Sequence, residues 1–190
     1  MNNKFFLIGL VSLIVTCCLL AFGTISANPI DPCTNTRVPK KVLNLIVRNY
    51  SQWHMLKLSD LPEPHQQKWL GSNYATYCPG IASGHFLSST EASFAFSLLP
   101  RNKKTEGYRL VVVSKDRAKE GQYVDTVLDQ ANEPVNPQIV YTVPPGKYSD
   151  QSGTEAVELV LDGIQVEEME KGAALFFWRD GQYRRLQVSE

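Results

Sequence analysis

The last third of the chain carries one short pattern twice. "VELVL-DG-IQVEEME" and "ALFFWR-DG-QYRRLQV" both read as strand, Asp-Gly, strand. Asp-Gly supplies the two positive-φ residues that a tight type I′ hairpin needs. Lys171-Gly172 joins the two units, so Val157 to Val188 is expected to form a four-stranded antiparallel meander. Its outer positions would carry Glu158, Glu167, Glu168, Arg184 and Arg185. Its inner ones would carry Leu159, Leu161, Val166, Phe176, Trp178 and Leu186. That alternation describes a sheet with one solvated face.

Strand character begins earlier, at Cys78. Phe94, Phe96 and Leu98 alternate along "SFAFSLLP", "YRLVVVSK" is rich in β-branched residues, and "QYVDTVLDQ" and "QIVYTV" follow between polar turns. Before Cys78 the period changes. Val42, Leu45 and Ile46 fall at helical spacing after Pro39, which predicts an amphipathic helix from Pro39 to Tyr50. "WHMLKLSDL" reads as a short strand. A second helix has "HQQKWLGSNY" as its body, Ser59 or Asp60 as cap and Gly71 as stop. The class is therefore α+β: two N-terminal helices packed on an antiparallel sheet of about seven to nine strands. Helices that precede the strands, without alternating with them, argue against a doubly wound parallel sheet.

The chain opens with "MNNKFFLIGLVSLIVTCCLLAFGTISA", a single early Lys4, an apolar run and small residues at Ser26-Ala27. This is the layout of a secretory signal over residues 1–27, leaving 28–190 as one globular domain. The rival reading is an uncleaved anchor, since the run approaches the length of a membrane span. Thr16-Cys17 lacks the small preceding residue of a lipoprotein site.

The 19 basic and 19 acidic side chains balance. Loss of Lys4 with the leader leaves one acidic charge in excess. Such a chain has no electrostatic footprint for nucleic acid or anionic lipid. No membrane contact is expected beyond the signal segment. Two cysteines lie in the leader and two beyond it, and an even pair in an exported chain predicts a Cys33–Cys78 disulfide. It would close a loop of roughly 45 residues and contribute about 4 kcal/mol. The competing use of Cys78 is as a free catalytic thiol.

Reaction chemistry is thinly represented. His54, His65 and His85 form no zinc-binding spacing, so no metal and no cofactor is expected. Ser83 sits one position out of register with the G-x-S-x-G elbow. A hydrolase using Cys78 or Ser83 with His85 remains the alternative. Glu167, Glu168 and Glu170 read as solvent-facing charges. The C-terminal hairpin interleaves aromatic and basic residues, Trp178, Arg179, Tyr183, Arg184 and Arg185, and Trp and Arg anchor protein interfaces more often than most residues.

"CPGIASGHF", "SFAFSLLP", "PPGKYSD" and "ALFFWRDGQYRRLQVSE" together resemble a family of exported bacterial proteins. Its hallmark is Cys-Pro-Gly, three residues, Gly-Asp-Phe and an Asp/Gly-rich loop similar to FG-GAP or EF-hand-like calcium loops. The resemblance covers Trp53 to Glu190 and implies no established activity. Here His85 stands where the first Asp would be, and "LSSTEAS" replaces the acidic run. Calcium needs several carboxylate and carbonyl oxygens, and only Glu91 is ionised in this loop, so no calcium binding is expected. The function these features favour is an exported, non-catalytic protein, periplasmic or secreted, that recognises another protein. An immunity or inhibitor protein is its specific form, with His85 and the C-terminal hairpin as contact residues.

Overall fold

A computed structural model of the protein describes residues 31–102, 106–169 and 171–189. The expected signal, residues 1–27, lies outside them. The described chain is α+β, mostly antiparallel strand with two helices. Helix α1 (Lys40–Asn49) begins directly after Pro39, which has no N–H to leave unpaired. Helix α2 (Glu63–Leu70) follows Pro62 and ends where the Gly71 N–H reaches Gln67 O. Asp60 does not cap it. Its carboxylate instead accepts the Lys57 N–H at 2.8 Å and closes a 3₁₀ turn over Leu58–Asp60.

Strands β1 (Trp53–Met55), β2 (Ile81–Gly84), β3 (Ser93–Pro100), β4 (Tyr108–Lys115) and β5 (Tyr123–Ala131) form the first sheet. β1 and β2 share one side of β3, and β4 and β5 follow on the other. The register of β4 and β5 shifts between Leu110 and Val111, which leaves Leu128 as an extra residue on the edge strand. The second sheet runs β11 (Gln182–Ser189), β10 (Gly172–Arg179), β9 (Gly163–Glu168), β6 (Gln138–Val143). Among the described residues, β7 (Gly146–Ser149) and β8 (Ala156–Leu159) pair only with each other.

The expected C-terminal meander is thus corrected. Three of its strands, β9 to β11, are consecutive neighbours, but the fourth partner is β6 and not β8. The two Asp-Gly pairs differ in what they do. Asp180 and Gly181 have φ of 52° and 80° and make the two-residue hairpin. Gly163 lies in strand, and a Cβ there would stand 2.7–2.9 Å from side-chain atoms of Leu175, Leu159 and Val143. It is a packing glycine, and no hairpin follows from it.

Both faces of β3 are covered. Phe94, Phe96 and Leu98, with Val111 and Val113 of β4, meet Val42, Leu45 and Ile46 of α1. On the opposite face Ala95, Leu110 and Val112 meet Val140, Ile164, Val166 and Phe176 of the second sheet. The first sheet is therefore covered on both sides, which is why β3 and β4 carry near-continuous apolar sequence. Trp69 of α2 joins Leu56, Leu58 and Leu61 against Ile139 and Met169. Val157 and Leu159 of β8 cover Leu175, Phe177 and Leu186. Arg184 and Arg185, as neighbours in a strand, point to opposite faces. Arg185 lies across from Phe176 on the inter-sheet side and Arg184 across from Phe177 on the other.

Candidate functional site

Cys78-Pro79-Gly80 is where separate parts of the molecule are joined. Cys78 is bonded to Cys33, as the cysteine count predicts. The Pro79 carbonyl accepts the Val140 N–H at 2.8 Å, tying the approach to β2 onto β6 of the other sheet. Gly80 passes so close to β1's end that a Cβ would stand 2.2 Å from the Leu56 carbonyl oxygen. Further along, the Thr142 hydroxyl donates to Ser83 O at 2.9 Å. These links bring the 3₁₀ turn Pro32–Asn35, the turns after α2, β2 and β6 around one groove of about 720 Å³.

The groove is aromatic. Trp69 is buried at its back and stacks on Tyr74 with centroids 5.9 Å apart. Tyr74 also meets Tyr141 at 4.9 Å and the edge of Tyr77 at 6.5 Å. The turn that carries these rings is fixed from within: Trp69 Nε1 donates to Tyr77 O at 3.0 Å, and Ser72 Oγ donates to Trp69 O at 2.7 Å. Tyr74 and Tyr77 remain 38% and 62% exposed. Burial, then the nearby Glu167 carboxylate, raises the Tyr141 phenol far above its ordinary range. Tyr141 therefore acts as a neutral hydroxyl, donating to Glu167 at 3.3 Å. Arg37 stands in the lining with no ion pair and no hydrogen bond among the described residues.

The residues singled out from sequence are placed elsewhere, and they do not converge. Trp178 and Tyr183 pack edge to face at 5.1 Å on the inter-sheet side of the last hairpin, with the Arg117 guanidinium 6.0 Å from the Trp178 ring. Burial raises the Tyr183 phenol well above its usual range. Arg179 lies on the opposite side, over Phe177 at 5.3 Å, and donates to Glu158 O at 3.0 Å. Arg184 is exposed on that same side. Arg185 donates to Gln187 at 2.7 Å beside a smaller cavity of about 330 Å³ that also touches Tyr108 and Glu168.

His85 is held by Asp162, the residue before the packing glycine. Its N–H donates to Asp162 Oδ2 at 2.7 Å, and its Nδ1 lies 3.6 Å from the same oxygen. Bonded to Cys33, Cys78 is not a free thiol here. Ser83 is exposed, but no hydrogen bond joins it to His85 among the described residues. Glu91, the one carboxylate in "LSSTEAS", is paired with Lys115. No group of three or more His, Cys, Asp or Glu side chains among the described residues could hold a metal.

The groove was not read from sequence. "SNYATYC" places two tyrosines three apart just before the bridged cysteine, and that is the signal that could have drawn attention. Tyr141 and Arg37 join them only through folding. Comparison of the chain with family models, with curated proteins and with solved structures finds no match in any of the three.

Proposed function

We propose that this is an exported, non-catalytic binding protein that recognises another protein through the tyrosine groove. The carrying observation is the exposure of Tyr74 and Tyr77 on a rigid turn above buried Trp69. Tyr and Trp offer large contact area with little rotamer entropy to lose, and with Arg they dominate interface energetics. A groove of this size accepts a protruding segment of a partner. The Cys33–Cys78 bridge fits an oxidising compartment, and among the described residues no helix is long and apolar enough to cross a membrane. In its specific form the protein is an immunity or inhibitor protein that neutralises a toxin or hydrolase of the cell envelope.

The test is affinity capture from a periplasmic fraction with the domain 28–190, alongside Tyr74→Ala/Tyr77→Ala. A stoichiometric partner is expected with the native domain, retained at least about tenfold less by the variant. Absence of such a partner, or equal retention by the variant, overturns the reading. Labelling of Ser83 by a fluorophosphonate would overturn its non-catalytic part. Unchanged survival against neighbouring-strain toxins after deletion would overturn the immunity form.

A further inference from the structure

Among the described residues, Arg37 is the only ionised side chain that lines the groove; no carboxylate lines it, and the nearby Glu167 is hydrogen-bonded to the Tyr141 hydroxyl. The other lining groups are aromatic rings, aliphatic side chains, the bridged cysteine and neutral hydroxyl or amide groups such as Thr36, Asn73 and Thr142. Several other cationic side chains are engaged, while Lys40, Lys41, Lys68, Lys119, Lys147 and Arg184 are exposed without an ion pair or hydrogen bond among the described residues; Arg37 differs from these in lining the groove. Lys115 pairs with Glu91 and Lys171 with Glu168, Arg109 bonds Ala131 O and Asn132, and Arg117 donates to Leu87 O. Arg37 has no such partner among the described residues, and its backbone is fixed on both sides. Cys33 is bridged to Cys78, and Val38 is buried in the cluster under α1. A planar guanidinium on an anchored backbone, at the edge of a neutral aromatic groove, is matched to a carboxylate, which it can hold by two parallel hydrogen bonds.

We propose that the groove takes an extended acidic segment of the partner protein. An Asp or Glu side chain of that segment meets Arg37, and its neighbours lie against Tyr74 and Tyr77. This rests on the protein-binding reading above and specifies what that site accepts. A side-chain carboxylate is favoured over a chain terminus because capture of a terminal carboxylate uses a nest of converging backbone N–H groups. Here the groove offers side chains. A single cation is also too few for a nucleic-acid backbone.

The experiment uses a random linear heptapeptide library displayed on phage and selected on the disulfide-bonded domain. Two or three enriched peptides are then synthesised and titrated by calorimetry. The expected result is enrichment of Asp or Glu flanked by apolar or aromatic residues. Affinity should fall at least about tenfold with Arg37→Glu, fall less with Arg37→Lys, and weaken as salt rises. Arg37 is exposed, so the variants should keep the native melting temperature, which is checked first. Enriched peptides without acidic residues, no enrichment at all, or affinity indifferent to Arg37→Glu each overturn the proposal. So does binding of uronic-acid oligosaccharides in place of peptides. If a partner is still captured in a Tyr77-dependent way after any of these outcomes, the acidic specificity fails while the protein-binding reading stands. If no partner is captured, that reading fails with it.

Discussion

Removing the Cys33–Cys78 bridge should cost the domain about 4 kcal/mol. The bridge spans 45 residues, among them α1, β1 and α2. Closing a loop of that length removes about 13 cal/mol/K of entropy from the unfolded chain, hence the figure at room temperature. Against a typical domain stability of about 5–15 kcal/mol that is a large share. The variant to use is Cys33→Ser/Cys78→Ala, since Cys78 is buried and a serine there would need a new partner. Urea unfolding followed by circular dichroism should show a lower midpoint and a somewhat larger m-value, because the unbridged unfolded chain exposes more surface. The far-UV spectrum should stay native in water. The sheets are held by the Phe96 and Ile164 clusters, and those do not include the bridge. A stability loss below about 1 kcal/mol would refute the loop-entropy reasoning.

Gly80→Ala should lose about 3 kcal/mol in the same assay, because all three atoms that collide belong to the Leu56 backbone; Gly71→Ala, whose nearest neighbour would lie at 3.4 Å, is the near-neutral control. Asp162→Ala should cost about 1–2 kcal/mol by orphaning the His85 N–H, with faster hydrogen exchange at that amide as the local readout. Tyr50, Tyr108, Tyr141 and Tyr183 are each held above the ordinary phenol range, first by burial. The folded state thus favours the neutral phenol. Stability from these groups is complete below about pH 10, where free phenols begin to ionise, and is lost as pH rises further. An alkaline titration should therefore show these four ionising only together with unfolding; ionisation of all eight tyrosines in one early phase would contradict it.

Local signals in the sequence were sound where the neighbouring residues alone decide the outcome. The spacing of Val42, Leu45 and Ile46 after Pro39 dictates α1, and Asp180-Gly181 dictates the last turn. The same dipeptide at Asp162-Gly163 misled because its two residues serve distant parts of the chain. Asp162 accepts from His85, and Gly163 makes room for Leu175. Which strand pairs with β8 is set by how Val157 and Leu159 cover Leu175 and Leu186, and no local pattern encodes that. The groove was hidden for the same reason. Arg37, the Tyr74–Tyr77 turn and Tyr141 belong to three separate segments, brought together by a disulfide and by one hydrogen bond from Val140 to Pro79.

The extra residue on β5 bears on whether a second copy could pair along this edge. β5 is the outer strand of the first sheet, and Val124 and Val127 are 46% and 43% exposed on it. A flat, apolar outer strand would be a template for a strand from another molecule. Leu128 breaks the hydrogen-bonding row partway along, so an incoming strand could match one half of β5 or the other, but not both in one register. Asp125 and Asp129, tethered by the Tyr50 and Tyr108 hydroxyls at 2.6 and 2.5 Å, set fixed negative charge on either side of the break. The irregularity that interrupts the ladder with β4 should thereby disfavour strand-to-strand pairing between copies through this edge.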